Sequence, residues 1–94
     1  METDIKRFLD DDGKVKQFPS KQNVRLLIYA YIADKFEFNR DYTEHEVNSI
    51  ISEWHTFGDY FMLRRGLIES GEMSRLRNGS KYWRNDKALI PKDE

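Results

Sequence analysis

Met73-Ser74-Arg75-Leu76-Arg77-Asn78-Gly79-Ser80-Lys81-Tyr82-Trp83-Arg84 reads as two short strands joined by a turn. Asn-Gly is the pair preferred in two-residue type I′ hairpin loops, because both residues tolerate positive φ. Such a turn sets the register. Arg77 then opposes Ser80, Arg75 opposes Tyr82 and Met73 opposes Arg84 on one face, while Ser74, Leu76, Lys81 and Trp83 take the other. Leu76 and Trp83 are expected to pack inward, with Trp83 as the core anchor of the hairpin. Arg75, Arg77 and Arg84 are expected on the wet face.

Upstream of the hairpin, helical signals occur three times. Asp59 is a good N-cap, and a helix is expected from Tyr60 to about Glu69, closed by Ser70-Gly71. Before it, Thr43-Glu44-His45-Glu46 is a capping box, in which the threonine hydroxyl and the glutamate three residues on satisfy otherwise orphan backbone donors. Val47, Ile50, Ile51 and Trp54 give that second helix one apolar stripe. The first helix is expected over residues 20–35, with Ser20 as its N-cap. Val24, Leu27, Ile28, Tyr31 and Ile32 share a face, and Leu26, Tyr29, Ala30 and Ala33 spread apolar surface round most of the circumference, which places this helix at the centre of the domain. Ahead of it come a short helical turn from Ile5 to Leu9, the acidic turn Asp10-Asp11-Asp12-Gly13 and a brief extended piece through Val15 to Phe18.

Three helices followed by a hairpin, with a short connection between the second and third helices, is the order of a winged helix-turn-helix domain, α+β and mainly α. Asp41-Tyr42 is expected to pair with the hairpin as a third strand. Ninety-four residues and 11.3 kDa supply one core, so residues 1–94 are read as a single domain. Residues 1–19 form an N-terminal arm, 20–84 the core, and 85–94 a polar tail expected to fray.

The run Phe18-Pro19-Ser20-Lys21, then Tyr42-Thr43-Glu44-His45-Glu46-Val47-Asn48, then His55 with Asp59, Leu63-Arg64-Arg65 and Gly71, ending in Tyr82-Trp83-Arg84, resembles the bacterial domain of unknown function 2087. The resemblance covers roughly residues 15–84. It implies a winged-helix-like fold found alone or joined to helix-turn-helix regulators, and hence a link to transcription, without assigning an activity. One departure stands out. Phe57-Gly58 and Gly66 interrupt a segment that is usually better helix-forming, so the third helix is expected to be short or bent, glycine costing about 1 kcal/mol relative to alanine.

Composition narrows the function class. The chain has no cysteine and only two histidines, His45 and His55, which excludes thiolate catalysis and cysteine-based metal sites. It has no glycine-rich phosphate loop and no convergent acid–base set, so no enzyme and no cofactor are expected. No stretch reaches the roughly 20 apolar residues of a membrane span, and Met1-Glu2-Thr3-Asp4 is unlike a signal peptide, so a cytoplasmic protein is expected. His55 and Asp59 are read as loop-fixing and capping groups rather than metal ligands. The Asp10-Asp11-Asp12 run is a solvated turn, since Lys14 and Lys16 stand where a calcium loop needs ligands.

The net charge of −1 hides an asymmetry. Residues 1–59 carry eight Lys/Arg against twelve Asp/Glu, residues 60–84 six against two, and residues 85–94 two against three. The basic set, Arg65 on the third helix with Arg75, Arg77, Lys81 and Arg84 on the hairpin, lies where a winged helix meets double-stranded DNA. Base-reading groups are few, so binding is expected to be weak or partner-dependent. Arg64 instead falls on the inward face of the third helix with Tyr60, Leu63, Leu67 and Ile68. It is expected to form a structural ion pair with Asp59, or with Glu46. Surplus aromatics at Tyr29, Phe36, Phe38 and Phe61 either meet a partner, such as a second copy or a regulator protein, or are covered by the N-terminal segment. A DNA-associated regulatory module acting without catalysis is the leading expectation, and a protein-interaction or dimerisation module without DNA contact is the alternative.

Overall fold

The structure, a computed structural model, describes residues 5–85. The ends of the arm and tail, residues 1–4 and 86–94, lie outside the described residues, and with them almost all of the tail expected to fray. A 3-10 turn at Lys6–Phe8 leads into α1 (Gln22–Ala33), β1 (Asp41–Tyr42), α2 (Glu44–Glu53), α3 (Tyr60–Glu69), β2 (Met73–Arg75) and β3 (Tyr82–Arg84). The sheet is antiparallel in the order β1-β3-β2. Three helices and a three-stranded sheet make the fold α+β, mainly helical, compatible with a winged-helix-like arrangement. Asp41-Tyr42 is the third strand that the sequence predicts.

Local chemistry explains the helix starts. The capping box forms in full, with the Glu46 amide donating to Thr43 Oγ1 at 3.1 Å and the Thr43 amide donating to Glu46 Oε1 at 2.8 Å. Asp59 caps α3 through the Met62 amide at 3.1 Å. His55 fixes the preceding loop. Its buried ring accepts from the Asp59 amide at Nε2, 2.9 Å away, which leaves Nδ1 as the nitrogen that donates to Ile51 O at 2.7 Å. Ser20, by contrast, does not cap α1, whose N-cap is Lys21. Arg25 Nε donates to Pro19 O at 2.8 Å, which anchors the entering chain one residue before Ser20.

The N-terminal segment belongs to the core rather than lying beside it. Val15 is fully buried, and its amide and carbonyl pair with Trp54 O and the Thr56 amide, each at 2.9 Å. The core runs through Val24, Ile28 and Ile32 of α1, Val47 and Ile51 of α2, and Leu63 and Leu67 of α3. α1 is less central than its composition suggests. Leu26 and Leu27 are exposed, so the buried stripe is the narrower i, i+4 row.

The hairpin register is as expected in the ladder: Met73 opposes Arg84, Ser74 opposes Trp83 and Arg75 opposes Tyr82. The turn is longer than a two-residue loop. The Gly79 amide donates to Leu76 O and the Leu76 amide to Lys81 O, each at 2.9 Å, while the Ser80 amide turns to Asn78 Oδ1 at 3.0 Å. Residues 77–80 thus form a four-residue loop, and Arg77 does not face Ser80 across the ladder. Gly79 takes φ 78°, but Asn78 is not among the positive-φ residues, so the type I′ turn is not formed.

The inward face of the hairpin is the opposite of the expected one. Met73 is 1% exposed and Tyr82 3%, whereas Leu76 is 42% exposed and Trp83 half-buried. The cause is the third strand. Tyr42 pairs directly with Tyr82, directly opposed residues share a face, and Tyr42 is itself buried edge-on against Phe36 at 5.1 Å. Burying that row turns Met73, Arg75 and Arg84 inward with it, and leaves Asp41, Ser74 and Trp83 outside.

Candidate functional site

Turning the hairpin over redistributes the basic residues. Arg84 leaves the wet face. Its side chain is 15% exposed, Nη1 donates to Phe36 O at 3.0 Å, Nη2 lies 3.5 Å from Asp34 Oδ1, and the guanidinium sits 4.0 Å from the centroid of the Phe38 ring. Arg84 therefore ties the loop after α1 to β3 instead of standing on the wet face of the hairpin. Lys81 remains outside, but Nζ pairs with Asp41 Oδ2 at 3.6 Å across the sheet.

Arg75 shares the face of the buried Tyr82 but lies beyond the edge of the core, so it overhangs α3. The result is a cleft of about 520 Å³ between α3 and the hairpin, into which Arg64, Arg65 and Arg75 converge. Phe61 and Ile68 supply its apolar wall, and Glu44 and Glu69 its carboxylates. Phe61, Arg65 and Glu69 follow one another at i, i+4 and i+8, which makes them a single exposed stripe of α3. Phe61 is 58% exposed. Arg77, at the tip of the loop, makes no ion pair or side-chain hydrogen bond among the described residues, while Arg75 Nη1 donates to Leu76 O and Arg77 O at 3.2 and 3.1 Å. Of the five expected contact residues, Arg65 and Arg75 meet in the cleft, Arg77 stands beside it, and Lys81 and Arg84 lie elsewhere.

The arginines of the cleft are not equivalent. Arg65 Nε pairs with Glu69 Oε2 at 3.1 Å, both side chains being well exposed. Arg64 is largely buried and donates through Nη1 to Asn48 Oδ1, with Glu44 Oε2 3.5 Å away. Its inward placement is as expected, but its carboxylate is Glu44 of α2 and not Asp59, which caps α3, nor Glu46, which is committed to the capping box. Glu44 also accepts from the Tyr82 hydroxyl at 3.3 Å. Burial first, and then the Glu44 carboxylate, raise the Tyr82 pKa above the ordinary tyrosine value. Arg64→Ala leaves Asn48 without its donor, and an expected loss of about 1–3 kcal/mol follows. Arg65→Ala breaks only an exposed pair and is expected to stay within about 0.5 kcal/mol. Thermal melts of the two variants check the order.

Sequence reading missed Glu44, Glu69 and Ile68 as cleft residues and placed Phe61 only among the surplus aromatics. The i, i+4, i+8 spacing of Phe61, Arg65 and Glu69 was the available signal. The other surplus aromatics divide: Phe36 is core, Tyr29 packs against Phe18 of the N-terminal segment with ring centroids 5.9 Å apart, and Phe38 stays exposed beneath Arg84. No helix among the described residues is long and apolar enough to cross a membrane.

A family model described as "Uncharacterized protein conserved in bacteria (DUF2087)" matches residues 14–84. No curated protein and no solved structure matches the chain.

Proposed function

We propose, from the premise that the chain belongs to the DUF2087 family, that it is a winged-helix module of transcription control that binds double-stranded DNA without catalysis. The exposed face of α3 approaches a groove, and the hairpin loop meets the backbone. The observation that carries this reading is the convergence of Arg64, Arg65 and Arg75 on one open cleft, with Arg77, whose side chain has no hydrogen-bond or ion-pair partner among the described residues, on the adjoining hairpin loop. Guanidinium groups are the usual partners of phosphate oxygens, and such contacts position a protein without reading sequence. Glu44 and Glu69 compete for two of these arginines, which makes the binding weak. Few groups remain to discriminate bases.

A protein-interaction role is the second reading, and the exposure of Phe61 beside Ile68 favours it. Aromatic and arginine side chains together are also common at the centres of protein interfaces. A gel shift with mixed-sequence duplex at low salt separates the two. The parent protein is expected to retard the duplex, and the triple variant Arg65→Gln, Arg75→Gln, Arg77→Gln is expected to lose the shift while keeping its fold, since all three side chains are exposed. A parent protein that leaves the duplex unshifted, but forms a dimer by light scattering, supports the interaction reading instead.

A further inference from the structure

From Gly13 to Ala33 the sequence contains no Asp or Glu, yet it carries Lys14, Lys16, Lys21 and Arg25. This acid-free run lies inside the half of the chain that is acidic overall. The fold adds a further cation to it. Arg7, on the N-terminal 3-10 turn, faces the segment that enters α1 across a cavity of about 460 Å³.

Five polar side chains surround that cavity: Arg7, Gln17, Ser20, Lys21 and Asn23. None of them makes a side-chain hydrogen bond or an ion pair among the described residues. Elsewhere the cations are mostly engaged: Arg40 with Glu37, Arg64 with Glu44, Arg65 with Glu69, Lys81 with Asp41 and Arg84 with Asp34. The lining holds no carboxylate, and Phe8 and Phe18 give it aromatic walls. Phe18 is braced from behind by Tyr29 and by the Arg25 guanidinium, 4.9 Å from its ring centroid.

We propose that this cavity binds a phosphomonoester carried on a planar apolar group, the chemistry of a mononucleotide. Two cations and three neutral polar side chains, arranged round a volume in the range of ligand pockets, suit a tetrahedral oxyanion that accepts from several directions better than a planar carboxylate. The aromatic walls suit the remainder of the ligand. The site lies apart from the α3 cleft and does not rest on duplex binding there. Ser20, which gives up the capping role its position suggests, is thereby left free to donate.

The same phosphate chemistry is present in a duplex backbone, so the test carries both sources. Backbone amide NMR shifts are followed as the protein is titrated with AMP, with inorganic phosphate and with mixed-sequence duplex. AMP is expected to move the amides of residues 17–24 at lower concentration than inorganic phosphate does. The double variant Arg7→Ala, Lys21→Ala is expected to keep the dispersed spectrum of a folded protein and to bind AMP at least about tenfold more weakly, having lost two charge-assisted contacts. Lys21 makes no side-chain cap to α1, so its removal leaves the helix start intact. Amides that stay unmoved by millimolar AMP, equal AMP binding by the double variant, or movement with the duplex alone would each overturn the proposal.

Discussion

Met73→Ala is expected to lower the unfolding free energy by about 2–5 kcal/mol, the range for truncating methionine in a close-packed core. Met73 lies under the sheet beside Tyr82, with almost no solvent contact, and follows directly on the turn that closes α3. Trp83→Ala removes a larger side chain, but a half-buried one on the outer face, and its expected cost is below about 2 kcal/mol. Leu76→Ala, beyond the ladder and exposed, is expected to fall within about 0.5 kcal/mol. Urea denaturation of the three variants measures the order. A Trp83 variant less stable than the Met73 variant would mean that the hairpin packs with its other face inward, and the cleft beneath Arg75 would go with it.

Gly66→Ala carries the second large effect. Alanine is better than glycine in a helix by about 1 kcal/mol, so local propensity alone predicts stabilisation. The structure predicts the reverse. α3 runs unbroken through Gly66, and a Cβ there would fall on the ring of Tyr29 from α1. Burial pushes the Tyr29 hydroxyl pKa up, as befits a ring wedged between two helices and Phe18. Overpacking of this kind costs about 1–3 kcal/mol. In a Tyr29→Ala background the obstacle is gone, and Gly66→Ala is expected to become neutral or stabilising by up to about 1 kcal/mol. A double-mutant cycle reads the change of sign. The same loss in both backgrounds would show that the glycine serves something other than close approach of the helices.

These two cases mark how far the sequence is legible. Signals closed within a few residues are readable: the capping box at Thr43, the Asp59 cap, the loop-fixing His55 and the strand pairing of the hairpin all follow from near neighbours. The inward face of the hairpin does not, because strands of three residues offer an apolar pair on each side, Met73 and Tyr82 or Leu76 and Trp83. The choice is made by Tyr42, about forty residues away in the chain, through its pairing with Tyr82. Gly66 is similar: in sequence it reads as a flaw in the third helix, and in space it is the gap that admits Tyr29. The candidate site inherits both limits. Arg65 and Arg75 are recognisable as basic positions, but their meeting with Arg64, and the withdrawal of Arg84 to Asp34 and Phe36, depend on which face the sheet buries.

The salt dependence of duplex binding tests the central reading most directly. Affinity for a mixed-sequence duplex is measured by fluorescence anisotropy across a salt series, for the parent protein and for the variant with Arg65, Arg75 and Arg77 changed to glutamine. Each phosphate contact contributes about 0.9 to the slope of log affinity against log salt, so three contacts account for a difference of about 2.7. The predicted result is a variant that binds weakly to every sequence, with a slope shallower by about that amount. Equal slopes for the two proteins would contradict a phosphate-binding role for this cleft.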